Sequence, residues 1–173
     1  VNPIGMQKGR KGVKPEQLWK RLQDKHDRIA ESEVRFESES CEGAELVVVA
    51  FGTLAKFVRY AVRELRAEGR RVGYARPITL WPYPSEALAA ACRGARAVAV
   101  LEMNAGQMVD DVRLAILGAA PVVEIGEIST DDSGFGVGAL LDAELIRGRI
   151  EALLSALAGG RPLAKRYREG APA

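Results

Sequence analysis

The stretch LVVVAFGTLAKFVRYAVRELRAEGRRVGYARP, residues 46–77, decides the fold. Leu46–Phe51 is an unbroken apolar run rich in β-branched valine, closed by Gly52-Thr53, the pattern of a strand buried on both faces. Thr53 is placed to cap a helix. Leu54, Phe57, Val58, Ala61, Val62 and Leu65 then recur at helical spacing as far as Gly69. Val72–Arg76 reads as a second strand, stopped by Pro77. Two strands joined by an amphipathic helix, in a rhythm that repeats downstream, make right-handed βαβ units with a parallel sheet.

The same rhythm continues downstream. A loop, ITLWPYP (78–84), precedes a helix that Ser85 can cap, and Ala97–Glu102 is a third inner strand. MNAG forms a turn, and residues 106–117 a helix with Met108, Val109, Val112 and Ile116 inward. Val122–Ile125 is a last short strand, followed by a Gly-rich loop and a helix over Asp142–Leu157. Upstream, Glu33–Ser38 (EVRFES) alternates charged residues with Val34 and Phe36, a short strand with one buried face. A helix is expected to start at Pro15, with Leu18, Leu22 and Ile29 as its apolar stripe, widened by Trp19. The class is α/β. The expected division is a basic arm and linker helix over 1–32, the α/β domain over 33–158, and a basic polar tail over 159–173.

Charge follows that division. The net charge is only +2 over 173 residues. Residues 1–28 carry 8 basic and 3 acidic side chains, residues 161–173 carry 4 and 1, and the body between is acidic, with 13 against 19. A nucleic-acid reading of the tails has in its favour enough cations for several phosphate contacts. It has against it a single aromatic in the first segment, Trp19, and no RNA-binding signature. The tails therefore read as solvated connections, with neither nucleic acid nor membrane as partner. Composition excludes collagen-like, disordered and disulfide-scaffold chains. No apolar run approaches the length of a membrane span. The chain begins with Val1 rather than Met, as expected of a segment of a longer polypeptide.

The chemistry-bearing residues do not assemble into a catalytic set. His26 is the only histidine and lies in the N-terminal helix, away from the α/β body of the sequence. Cys41 and Cys92 lack metal-ligand or redox spacing. Cys92 falls on a helix as a small core residue, and Cys41, in a polar loop, reads as an exposed thiol. Two such cysteines favour a reducing, cytoplasmic location. Asp110 and Asp111, adjacent on a helix, cannot easily chelate one ion and complement the helix dipole instead. Asp131-Asp132 reads as a turn. Gly134–Ala139 has a GxGxxA pattern, but far from the first strand where a dinucleotide fingerprint belongs. No catalytic, cofactor-binding or metal residue is therefore assigned.

Two segments stand out beyond composition. Arg76–Pro84 (RPITLWPYP) is a stiff, three-proline loop carrying Trp81 and Tyr83, suited to a fixed interface or folded back on its own helix. Glu102–Met108 (EMNAGQM) runs from the carboxyl end of a strand to the start of a helix. Free N–H groups there invite an anion or a partner carboxylate, with Asn104 as helix cap or ligand contact.

RPITLWPYP followed by VLEMNAGQMVDDVRLA resembles the second domain of the α subunit of 2-oxoacid:ferredoxin oxidoreductases, closest to the 2-oxoisovalerate and 2-oxoglutarate types. The resemblance covers roughly residues 33–127. It implies a three-layer α/β/α sandwich similar to the C-terminal domain of transketolases. The implied sheet has five strands in order 1-3-2-4-5, mostly parallel with the first antiparallel. In that order Gly52, Thr53, Met103 and Asn104 would face one crevice at the topological switch.

The resemblance further implies a complex that oxidatively decarboxylates a 2-oxoacid to an acyl-CoA and passes electrons to ferredoxin. Its cofactors are thiamine diphosphate with Mg, iron–sulfur clusters and CoA. The implied partners are a thiamine-diphosphate-binding domain and subunit, and iron–sulfur and gamma-type subunits. This chain, without a GDG-type motif or a cluster cysteine set, would bind none of these cofactors alone. It would supply packing and subunit contacts through Arg76, Pro77, Trp81, Pro82, Glu102, Asn104, Gly106 and Gln107. One departure is GEISTDDSGFGVGALL (126–141) in place of the family's GG-x-I-P type loop. The other reading is a stand-alone adaptor or small-ligand-binding domain of the same fold.

Overall fold

The computed structural model describes residues 14–104, 106–126 and 143–165. Residues up to Val34 and residues from Arg35 onward form two compact units. The first holds helix α1 (Pro15–Ser32), begun by Pro15 as expected. None of its residues is buried, and Trp19 is 56% exposed.

The second unit holds β1 (Phe36–Glu39), β2 (Leu46–Ala50), α2 (Leu54–Ala67), β3 (Val72–Pro77), α3 (Ser85–Ala91), β4 (Ala97–Leu101), α4 (Met108–Ile116), β5 (Val122–Glu124) and α5 (Ala143–Ala158). The five strands form one sheet in order β1-β3-β2-β4-β5. β1 pairs antiparallel with β3, and the other pairs are parallel. The expected order and the antiparallel first strand are both observed.

Alternation along the inner strands divides the core into two layers. Leu46, Val48, Ala50, Tyr74, Ala97, Ala99 and Leu101 pack with α2 and α5. Val47, Val49, Ala75, Val98 and Val100 pack with α3 and α4. Every residue of β2 and β4 is fully buried, which is why both read as continuous apolar runs.

Several boundaries differ from expectation for local reasons. β1 runs over 36–39 rather than 33–38: Glu33 N–H still bonds Ile29 O at the end of α1, and Ser40, with φ 58°, turns the chain out of the sheet. α4 starts at Met108 because Gly106 has φ 97°, and it ends before Leu117, itself left-handed at φ 48°. Thr53 does not cap α2. It already has helical φ and ψ, whereas a capping side chain needs an extended backbone to reach back. Ser85 is the first residue of α3 rather than its cap, and makes no side-chain capping bond. Asp131-Asp132, Gly134–Ala139 and the expected first residue of the last helix, Asp142, lie outside the described residues. No helix among the described residues is long and apolar enough to cross a membrane.

Candidate functional site

The switch in winding direction falls between β2 and β4. α2 covers one face of the sheet, and α3 and α4 the other. With Ala50 opposite Leu101, the segments leaving the two strands, Gly52-Thr53 and Met103-Asn104, emerge side by side at the carboxyl edge. This is where an open α/β sheet presents its ligand position. Gly52 and Thr53 are exposed, Met103 is 41% exposed, and Asn104 and Gly106 are half-buried.

What fills the start of α4 is a side chain of the protein itself. Glu102 is fully buried, and its carboxylate accepts the N–H groups of Gln107 (3.1 Å), Met108 (2.9 Å) and Val109 (3.0 Å). Those are the donors a helix leaves unsatisfied at its N-terminus, and a carboxylate there also opposes the positive end of the dipole. The expected invitation to an external anion is thereby answered within the chain. Asn104 is not the helix cap either: its Oδ1 accepts the Gly106 N–H at 2.8 Å and closes the connecting turn. Gln107 occupies the cap position and offers no capping side-chain bond.

Behind this turn the chain is tightly layered. A Cβ on Gly126 would fall on the carbonyl oxygen of Glu102 and within 2.8 Å of its carbonyl carbon. A Cβ on Gly106 would lie 3.2 Å from Oε2 of the buried Glu124. Arg149 of α5, also buried, donates from Nη1 to Ile125 O at 2.8 Å and ties the end of β5 to the opposite layer.

The remaining sequence candidates lie on β3 and the loop after it. Arg76 pairs with Glu37 across the β1–β3 ladder at 3.3 Å, and Glu37 also accepts the Tyr74 hydroxyl at 2.7 Å. That hydroxyl bond, followed by Arg76, holds the Glu37 carboxyl below its ordinary value despite some desolvation. Arg76 therefore serves the edge of the sheet and not the switch. Pro77 is buried and Pro82 half-buried, and the Trp81-Pro82 peptide is cis. Trp81 is 60% exposed, with Ile78 (48%) and Leu80 (47%) in the same loop, so these side chains face outward.

Tyr83, grouped with Trp81 by the sequence as an aromatic of a loop suited to an interface, turns inward instead. It packs against the α3–α4 layer, and its hydroxyl is buried with no hydrogen-bond partner among the described residues. Burial pushes the phenol up, reinforced by the negative charge of Asp111, and also by Cys92 and Glu102. Its signal was its place between two prolines of a loop that must return to the sheet. The role of Glu102 also had a signal, an acidic residue ending an apolar strand a few residues before a helix that offers no capping side chain of its own.

The two thiols offer no nucleophile. Burial pushes Cys92 up to about 12. Cys41 is not the exposed thiol expected: it is half-buried, its Sγ lies 3.1 Å from Tyr74 O, and burial raises it too. A Cβ on Gly73 would meet the Cys41 backbone at 2.8 Å, so the loop is seated directly on β3.

The sequence family described as pyruvate:ferredoxin oxidoreductase core domain II matches residues 44–132, just over half of the chain. The chain belongs to this family. That bears out the resemblance carried by ITLWPYP and EMNAGQM, both inside the matched core domain II region. A ketoisovalerate oxidoreductase subunit, VorB, of Methanothermobacter thermautotrophicus is 45% identical over 94 residues, 54% of this chain and 27% of that protein. A 2-oxoglutarate synthase subunit, KorA, of Methanocaldococcus jannaschii is 34% identical over 125 residues, 70% of this chain and 33% of that protein. The chain thus spans about a quarter to a third of the length of these relatives.

Among solved structures, the chain is similar to the 2-oxoglutarate:ferredoxin oxidoreductase from Magnetococcus marinus, with 2-oxoglutarate, coenzyme A and succinyl-CoA bound. The TM-score is 0.66 at 24% identity, covering 81% of this chain and 23% of that one. A split-gene transketolase, described as an inactive β4 tetramer, gives 0.54 at 23% identity, covering 70% and 41%. At such identities these structures speak for the fold, which is the transketolase C-terminal type.

Proposed function

We propose that this core domain II is a non-catalytic, subunit-contacting part of a cytoplasmic 2-oxoacid:ferredoxin oxidoreductase, flanked by a linker segment (1–32) and a tail (159–173). The complex would use thiamine diphosphate with Mg, iron–sulfur clusters and CoA to convert a 2-oxoacid to its acyl-CoA, delivering electrons to ferredoxin. The observation that carries the reading is the Glu102 carboxylate seated on the start of α4. With those donors engaged, the residues of this edge do not fit a diphosphate. Nor does any group of three His, Cys, Asp or Glu side chains among the described residues fit a metal ion or cluster. No step of the reaction is assigned to this chain.

What the edge does offer is surface. Ile78, Leu80, Trp81 and Met103 leave apolar area open on loops at the carboxyl ends of β3 and β4. Gly52, Thr53, Arg76, Pro77, Pro82, Asn104, Gly106 and Gln107 shape or brace those loops. The thiamine-binding domain and subunit, and the iron–sulfur and gamma-type subunits, are the partners this reading supplies.

Two measurements test it. The purified chain, given thiamine diphosphate, Mg, CoA and a 2-oxoacid, should not reduce methyl viologen, and turnover would overturn the non-catalytic role. In the full enzyme, W81D with I78D should lower the yield of assembled complex while the turnover of each assembled complex stays unchanged. Unchanged assembly would overturn the contact role of the loop.

A further inference from the structure

The segment after α5, expected as a solvated connection, returns to the sheet. Gly160, at φ 64°, donates its N–H to Leu157 O, and the Arg161 N–H reaches back to Ala156 O at 3.0 Å, the bond pair of a helix stopped by a left-handed glycine. Pro162 cannot continue the helix. Arg96, just before β4, donates from Nη2 to Leu157 O at 2.7 Å, so α5 ends beside the amino edge of the sheet. Lys165 O accepts the Glu124 N–H at 3.0 Å, beside the last residue of β5. Between these two points the half-buried Leu163 packs on the layer of α2 and α5. Residues 161–165 are therefore a strap laid along β5, an outermost strand.

The strap holds the ground on which the turn between β4 and α4 stands. Gly126 is layered on the Glu102 backbone at the start of that turn. The carboxylate of the buried Glu124 lies against Gly106 at its end, with Oε2 3.2 Å from where a β-carbon would stand. Ile125, between them, is gripped from α5 by the Arg149 guanidinium. The C-terminal part of the chain thus fixes residues 124–126 twice, and unequally. Arg149 is buried and gives a charge-assisted bond. Among the described residues the strap has one neutral main-chain bond to the sheet and one half-buried leucine, which lines a groove of about 360 Å3 together with Ile116, Pro121 and Val122. So few contacts beside open space put the strap among the parts of a fold that open first.

We propose that the strap is a releasable clamp on the turn between β4 and α4. Seated, it fixes Glu124, and through it Gly106 and the Gln107 and Met108 donors that Glu102 holds. Released, it loosens that turn while the sheet stays folded. Arg149 is the permanent jaw of the clamp, and Leu163 is the positioning residue of the other. The device belongs to the chain itself, and it stands whether or not the carboxyl edge meets partner subunits.

The test is amide hydrogen exchange, read residue by residue, in the full chain, in its L163S variant and in a chain ended after Gly160. Both changes should speed exchange at Glu124, and with it at Gln107 and Met108, by about tenfold more than they speed the amides of β2 and β3. The central strands report general stability, so the ratio isolates what happens at the turn. If the shortened chain fails to fold, L163S decides, because it keeps the whole backbone. Faster exchange at Glu124 with Gln107 and Met108 no faster than the central strands would mean a strap uncoupled from the turn, and would overturn the proposal. So would equal acceleration at every amide, the mark of a general loss of stability, or no change at Glu124 in L163S.

Discussion

Glu102 accepts the Met108 N–H at 2.9 Å, and through that contact the end of β4 caps the start of α4. Gln107 and Val109 donate to the same carboxylate, so one buried side chain meets three donors that would otherwise be orphaned. The segment between them is short and its geometry follows: Gly106 must be left-handed, and Asn104 closes the turn. The conspicuous motif of the family is thus first a folding device.

Removing that carboxylate should be costly. Hydrogen bonds to a charged group contribute more than neutral ones, and the donors would be left buried. E102A should therefore lose about 3–4 kcal/mol in urea unfolding. E102Q keeps the shape and one accepting oxygen and should lose less, about 1–2 kcal/mol. Equal, small losses in both would mean the cap is not what holds α4.

Two glycines should respond in opposite directions. Gly126 lies against the Glu102 backbone, where nothing can give, so G126A should cost at least about 2 kcal/mol. Gly148 is an exposed residue inside α5 with open space within 4 Å of where a β-carbon would stand, so G148A should gain about 0.5–1 kcal/mol. Thermal melts of both variants beside the parent chain check the pair of signs.

Acid should loosen the β1 edge. Arg63 and Arg59 bond the Glu39 carboxylate and hold its pKa at about 2 against an ordinary 4.5. A carboxyl depressed in the folded state contributes stability in full above its unfolded value and loses it as pH falls from 4.5 toward 2. Both arginines are substantially exposed, so the effect is screened by solvent. Urea midpoints followed downward from neutral pH should fall more steeply in the parent chain than in E39Q. Parallel curves would deny Glu39 this role.

Tyr83 should tolerate loss of its hydroxyl. A buried O–H without a partner has lost its water and gained nothing, so Y83F should leave stability unchanged or raise it by up to about 1 kcal/mol. A clear loss would reveal an ordered water bridging that oxygen to the protein.

Much of the architecture was legible in order along the chain. The continuous runs at 46–51 and 97–101 announce strands covered on both faces, and the helical spacing of Val58, Ala61, Val62 and Leu65 announces the helix that covers one of them. Local chemistry misled where a residue type suited a role its backbone did not allow. Thr53 and Asn104 look like caps, yet Thr53 is already helical and the Asn104 amide is used inside its own turn. Cys41 looked exposed because its neighbours are polar, and only the bare Cα of Gly73 lets its loop sit down on β3.

The sequence by itself determined the class, the pairing of strands with helices, and the family, because periodicity and short motifs are local properties of the chain. Tertiary structure decided what each conspicuous residue does. Whether the start of α4 awaits an anion or already holds one depends on where Glu102 points, and the backbone it hangs from is packed against Gly126, distant in sequence. Whether Trp81 folds inward or faces out, and which strand lies at each edge of the sheet, are likewise settled only when the sheet is assembled, since exposure belongs to the packed molecule and not to any residue.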